Sequence, residues 1–121
     1  MQLNIQARGF KLTEGLRNLA ERRLRFALGS TSARVRSIAM RLADENGPRG
    51  GMDKRCTILA SLAGAPPVVI DQQESDLYVA IDRAADRAGR TVSRQLKKAS
   101  SRRRDGTLAG SGSLDTELPS R

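Results

Sequence analysis

The sequence predicts an α+β domain of order β-α-β-β-β-α, a four-stranded sheet with two helices packed on one face. Three observations carry that expectation. Apolar residues alternate in four short runs, they recur at helical spacing in two longer ones, and turn-forming residues separate the runs. A chain of 121 residues suits one compact domain rather than two.

The elements follow in order. Leu3, Ile5 and Ala7 alternate with Gln2, Asn4, Gln6 and Arg8, which reads as a strand. Thr13 is placed to cap a helix, with Glu14 well set in its first turn. Leu16, Leu19, Ala20, Leu24 and Ala27 follow at helical spacing, and Gly29 is the expected stop. "STSA" is a turn-rich link into a second strand, where Arg36, Ile38, Met40 and Leu42 share one face and the last three point at the core. "ENGPRGGMD" carries the glycines and proline of a hairpin loop. Cys56, Ile58, Ala60 and Leu62 alternate in a third strand, "GAPP" makes the next turn, and Val68 to Gln72 forms a short fourth strand. Ser75 is a candidate cap for the second helix. From about Ser101 the composition is that of a disordered tail, which divides the chain into a domain at 1–100 and a tail at 101–121.

A helix between the first two strands favours their parallel pairing through a right-handed crossover. The short loops elsewhere predict antiparallel pairs. Each helix has one apolar stripe, so both should cover the same sheet face. The other face is expected to be polar, with Arg34 or Arg36, Arg41, Arg55 and Thr57 among its contributors. Phe10, Phe26 and Tyr78 are the only aromatics, so the core must be aliphatic.

The formal net charge is +9, and the pattern of that charge points to an anionic partner. Eighteen of the twenty-two basic residues are arginine, whose planar fork suits phosphate and stacks on bases. Charge alone does not choose between RNA, DNA and an anionic membrane. No stretch approaches the ~20 apolar residues of a membrane span, and the start lacks an apolar signal core. Cys56 is the only cysteine, so no internal disulfide can form and a cytoplasmic setting is expected.

The second helix, "DLYVAIDRAADRAGRTVSRQLKK", separates its residue types by angle. At about 100° per residue, Leu77, Ile81, Ala84, Ala85, Ala88, Val92 and Leu96 fall on one stripe. Arg83, Arg87, Arg90, Arg94, Lys97 and Lys98 lie roughly opposite. Asp82 is expected to pair with Arg87 or Arg90, whereas Arg94, Lys97 and Lys98 have no acid three or four residues away. Two readings stand: a solvated face favoured by the helix dipole, or a ridge for phosphates, because successive turns space cations at ~5–6 Å. Gly89 marks either a close backbone approach or a weak spot, since mid-helix glycine costs ~1 kcal/mol relative to alanine. The first helix adds Arg17, Arg22, Arg23 and Arg25. Arg23 lies within the apolar stripe by angle, so it either snorkels along its stem or emerges in a groove between the helices.

Catalytic chemistry is scarce. Without histidine the commonest neutral-pH base and metal ligand is missing. Cys56 sits mid-strand on the core side, which favours a buried thiol over a nucleophile. "GPRGG" lacks the lysine and hydroxyl of a phosphate-binding loop, leaving a turn from which Arg49 can touch a backbone. The acids show no pairing suggestive of hydrolysis. The expectation is a non-enzyme without cofactor, metal or small-molecule substrate.

Three stretches carry a resemblance to a known family. "MQLNI" opens the chain, "LTEGLR" begins the first helix, and "DLYVAID" followed by "SRQLKK" makes the second. Over Met1 to Lys98 the chain resembles the ribosome hibernation-promoting factors, also called ribosome-associated inhibitors. The resemblance implies a fold like that of double-stranded-RNA-binding domains. It also implies a protein that binds the small ribosomal subunit and its rRNA between head and body, where it blocks the messenger and transfer RNA sites. By position, Arg83, Arg87, Arg90, Arg94, Lys97 and Lys98 would face that RNA, with Arg22, Arg23 and Arg25 beside them. Thr13, Glu14, Leu16, Asp76, Tyr78 and Ile81 match motif positions assigned to folding. The length resembles the short forms, which lack the second, dimerisation domain, and a monomer is expected on the ribosome. "ENGPRGGMDKR" is longer than the matching loop of the best-known short members. Two other readings are a protein-binding modulator of transcription, such as of a sigma factor, and a general RNA-binding module.

Overall fold

The computed structural model describes residues 1–44 and 53–109, with residues 102–109 described by backbone alone. The elements are β1 (Gln2–Arg8), α1 (Glu14–Leu28), a 3₁₀ turn (Gly29–Arg34), β2 (Val35–Asp44), β3 (Lys54–Leu62), β4 (Ala65–Glu74) and α2 (Leu77–Ala109). The strands lie in the order β1-β2-β3-β4. β1 pairs with β2 in parallel, and the other two pairings are antiparallel. The architecture is the expected α+β fold.

Local chemistry explains the boundaries. The Leu16 backbone N–H donates to Thr13 Oγ1 at 3.1 Å, capping α1. Gly29 closes it with φ +54°, a left-handed conformation that glycine adopts freely, and its N–H donates to the Arg25 carbonyl. At the start of α2 the cap is Asp76, not Ser75: Asp76 Oδ1 accepts from the Tyr78 N–H at 2.8 Å. A carboxylate there also meets the positive end of the helix dipole.

Three differences from expectation are instructive. "GAPP" is only half a turn: Gly64 has φ +74°, but Pro66 and Pro67 belong to β4. β4 is an edge strand, where a residue without an N–H costs no ladder bond on the open side. In β2 a bulge between Val35 and Ser37 turns Val35 inward and leaves Arg36 exposed, so Arg36 does not share the core face with Ile38. Finally, α2 continues past residue 100 to Ala109. Residues 101–109, expected to begin a tail, thus continue the helical backbone, and 110–121 lie outside the described residues.

One aliphatic core joins the sheet to both helices. Ile38, Met40, Leu42, Ile58 and Val68 from the sheet meet Leu16, Ala20 and Leu24 of α1, and Ile81, Ala84, Ala88, Val92 and Leu96 of α2. None of the three aromatics is fully buried, and Phe26 and Tyr78 are among the exposed large hydrophobics. The far face of the sheet is less polar than expected. Arg41 and the Arg55–Asp71 pair stand there, but so do Leu59 and Val69, paired side by side. At the start of β3, buried Asp53 accepts from Lys54 Nζ at 3.0 Å, while its Oδ1 has no partner among the described residues. Asp53 and Asp44 together push the Lys54 pKa up, against an opposing effect of desolvation. Arg49 and its loop lie outside the described residues.

Candidate nucleic-acid interface

The two helices touch at a point that fixes the whole surface. A Cβ built on Gly89 would lie 2.3 Å from the Ala27 carbonyl oxygen, far inside contact distance. Glycine is required there because the α1 backbone occupies the space a side chain would need. Of the two readings of Gly89, close approach is the one observed. The contact locks the arginines of α1 beside the basic stripe of α2.

All nine of the basic residues singled out by sequence are exposed, so the stripe faces outward. Their partners divide them. Arg83 Nη1 reaches Glu74 Oε2 at 3.2 Å, so it leans onto β4. Arg87 Nη1 donates to the Asp71 carbonyl at 3.0 Å and to Gln72 Oε1 at 2.7 Å. Arg90 pairs with Asp86 one turn back at 3.0 Å. The expected pairing of Asp82 with Arg87 or Arg90 is not formed; Asp82 pairs across the groove with Arg23 at 3.2 Å. Position 87 is drawn instead to β4, whose carbonyl and amide oxygens lie nearer than any acid of its own helix.

Arg23 therefore emerges between the helices rather than merely skirting the core. Its side chain keeps about half its surface in water, at 52 %. Arg25 pairs along α1 with Glu21 at 3.0 Å. Among the described residues, Arg22, Arg94, Lys97 and Lys98 have no acid partner and no hydrogen bond from the side chain. The near half of the stripe is mixed with acids, and the far half is not.

A groove of about 570 Å³ opens between the helices. Arg23, Phe26 and Ala27 of α1 line it together with Asp82, Ala85, Asp86 and Arg90 of α2. Phe26 was not singled out by sequence, yet a signal existed: about 100° per residue puts it at the edge of the apolar stripe of α1, just beyond Leu19 and between Arg22 and Arg23. Elsewhere, Cys56 is buried, and burial pushes its thiol pKa up to about 12, aided by the charge of Asp71. A thiol so held is not a nucleophile near neutral pH. Among the described residues no helix is long and apolar enough to cross a membrane, and no group of three or more potential ligands could hold a metal ion.

A family model described as sigma 54 modulation protein / S30EA ribosomal protein matches residues 3–104. The chain belongs to that family. Solved structures resemble this S30EA-family chain over most of its length. A ribosomal subunit interface protein from Coxiella burnetii has a TM-score of 0.66 at 16 % identity, covering 78 % of this chain and 96 % of that one. The N-terminal domain of Protein Y from Thermus thermophilus has a TM-score of 0.64 at 25 % identity, covering 78 % of this chain and 98 % of that one. A comparison with curated proteins finds no match. The first likeness speaks to the S30EA-family fold; the second carries sequence agreement as well.

Proposed function

We propose that this protein binds the small ribosomal subunit through its rRNA and silences translation by filling the space that messenger and transfer RNA need. The observation that carries the reading is the far half of the α2 stripe. Arg94, Lys97 and Lys98 stand exposed on successive turns with no described acid to neutralise them. Like charges at this spacing cost a few tenths of a kcal/mol each in water, and RNA phosphates would remove that cost. Family membership and the likeness to a ribosomal subunit interface protein support the same reading.

The block is steric and stoichiometric. It needs no cofactor, metal or covalent step, and it takes place in the cytoplasm with one copy of the protein per subunit. Arg83, Arg87 and Arg90 join as a second rank. The Arg90–Asp86 pair is exposed on both sides, and such pairs are worth only ~0–1 kcal/mol, so exchange of that carboxylate for a phosphate is cheap. Arg83 and Arg87 must instead leave half-buried Glu74 and two neutral oxygens of β4. Arg22, Arg23 and Arg25 extend the contact from α1.

The test is co-sedimentation of the purified protein with small subunits, beside the R94E/K97E/K98E variant. Wild type is expected to saturate at one copy per subunit and to inhibit translation in vitro, and the variant to lose both while keeping its circular dichroism. Equal binding by the variant refutes the reading. Recovery of transcription proteins but no ribosomal ones after nuclease treatment would establish the protein-binding reading instead. Equal affinity for arbitrary duplex RNA would establish a general RNA-binding module.

A further inference from the structure

We propose that Phe26 is a stacking platform for an unpaired base of the bound RNA. The inference rests on the ribosomal reading and adds to it a named contact of a different kind. Phe26 is 87 % exposed, in a chain that has only one other phenylalanine and no tryptophan. A lone exposed apolar residue is ordinary on a protein surface. Its setting is what distinguishes this one.

Phe26 stands at the rim of the inter-helix groove, with Arg23 one turn before it on α1 and Arg90 across on α2. Arg22, also one turn before it, is exposed and has no described partner. Asp82 and Asp86 share the groove and hold Arg23 and Arg90 in exposed pairs that a phosphate can displace at little cost. Arginines beside an open ring match the two parts of single-strand recognition, in which bases stack on an aromatic face while phosphates meet arginine. The small side chains of Ala27 and Ala85 leave room in the groove, and the close backbone approach at Gly89 holds its two walls at fixed separation. A protein partner would more naturally seek apolar neighbours around such a ring. The exposed aliphatics Leu59 and Val69 lie on the opposite side of the sheet. Charge complementarity therefore favours RNA, and an exposed ring face favours a base that is not already paired and stacked.

Two variants test this. Phe26→Leu keeps an apolar side chain but removes the aromatic face. It should fold like wild type and bind small subunits about tenfold more weakly, a loss typical of one stacked base. The slope of affinity against salt should not change, because no phosphate contact is lost. Phe26→Trp should bind like wild type and place the only indole of the protein at the site, with emission quenched on saturation by small subunits. Affinity of Phe26→Leu within about twofold of wild type, or unchanged indole emission at saturation, overturns the proposal. Should wild type fail to bind subunits at all, the ribosomal reading falls by itself. The stacking claim is then judged on single-stranded oligoadenylate, where quenching of the Phe26→Trp variant sustains it and its absence ends it. Equal quenching by adenosine monophosphate at the same nucleotide concentration would mark a free-nucleotide site and overturn the RNA assignment.

Discussion

Along one stripe of α2, Arg83, Arg87 and Arg90 each reach an oxygen of the protein, whereas Arg94, Lys97 and Lys98 reach none among the described residues. Burial does not distinguish the halves. Both bury their opposite side in the same core, the first through Ile81 and Ala84, the second through Val92 and Leu96. What differs is the neighbourhood: β4 offers Glu74, Gln72 and the Asp71 carbonyl to the first half, and Asp86 lies one turn from Arg90. The same residue types thus serve two ends. Arg83 and Arg87 help hold the helix to the sheet, and further along the cations have no described protein partner.

The largest expected effect comes from treating the halves separately. R94E/K97E/K98E should lower small-subunit affinity roughly a hundredfold or more without moving the melting temperature. R83A/R87A/R90A should lose less affinity but melt a few degrees lower, since Arg83 and Arg87 also tie α2 to β4. Equal losses of affinity, with equal melting temperatures, would erase the distinction between them.

The next effect is on the frame that carries both halves. Gly89→Ala should destabilise the domain by about 2 kcal/mol in denaturant titrations, because forcing helices apart outweighs the ~1 kcal/mol gained in helix propensity. An unchanged unfolding midpoint would mean that the helices can separate freely.

A smaller effect concerns the core beneath the stripe. The Cys56 thiol pKa is raised from an ordinary 9.0 to about 12 in the folded protein. Its contribution to stability is therefore fully present below pH 9.0 and declines as pH rises towards about 12, since only the unfolded chain ionises across that window. Denaturant titrations at rising pH should show the decline, and Cys56→Val should flatten it. The smallest effect is expected at Arg25, where the exposed pair with Glu21 makes Arg25→Ala worth less than about 0.5 kcal/mol of stability.

Much of the fold was legible because periodicity is a local property. Alternation in β1 and helical spacing in α2 depend on neighbours in the chain, and their parallel and antiparallel partners followed from connection length. The misreadings share a cause of another kind. The bulge at Arg36, the place of Pro66 and Pro67 within an edge strand, and the cap at Asp76 rather than Ser75 each depend on which neighbouring group comes within reach. The site divides in the same way. Outward display of the arginines follows from helical angle, so it was readable. Which arginines are engaged depends on Asp71, Glu74 and Asp82 arriving from elsewhere, so it was not. Phe26 lay between: its angle was available, but its exposure beside a groove required the second helix.

Tethered cleavage tests the central claim most directly. A cysteine at Lys97, carrying a chelated iron that generates hydroxyl radicals, can be compared with one at Leu59 on the far side of the sheet, because buried Cys56 resists labelling near neutral pH. Cleavage of small-subunit rRNA along the messenger path from position 97, with little from position 59, is the predicted result. Equal cleavage from both positions, or none from 97 while the protein co-sediments with subunits, would contradict the assignment of α2 as the RNA-facing element.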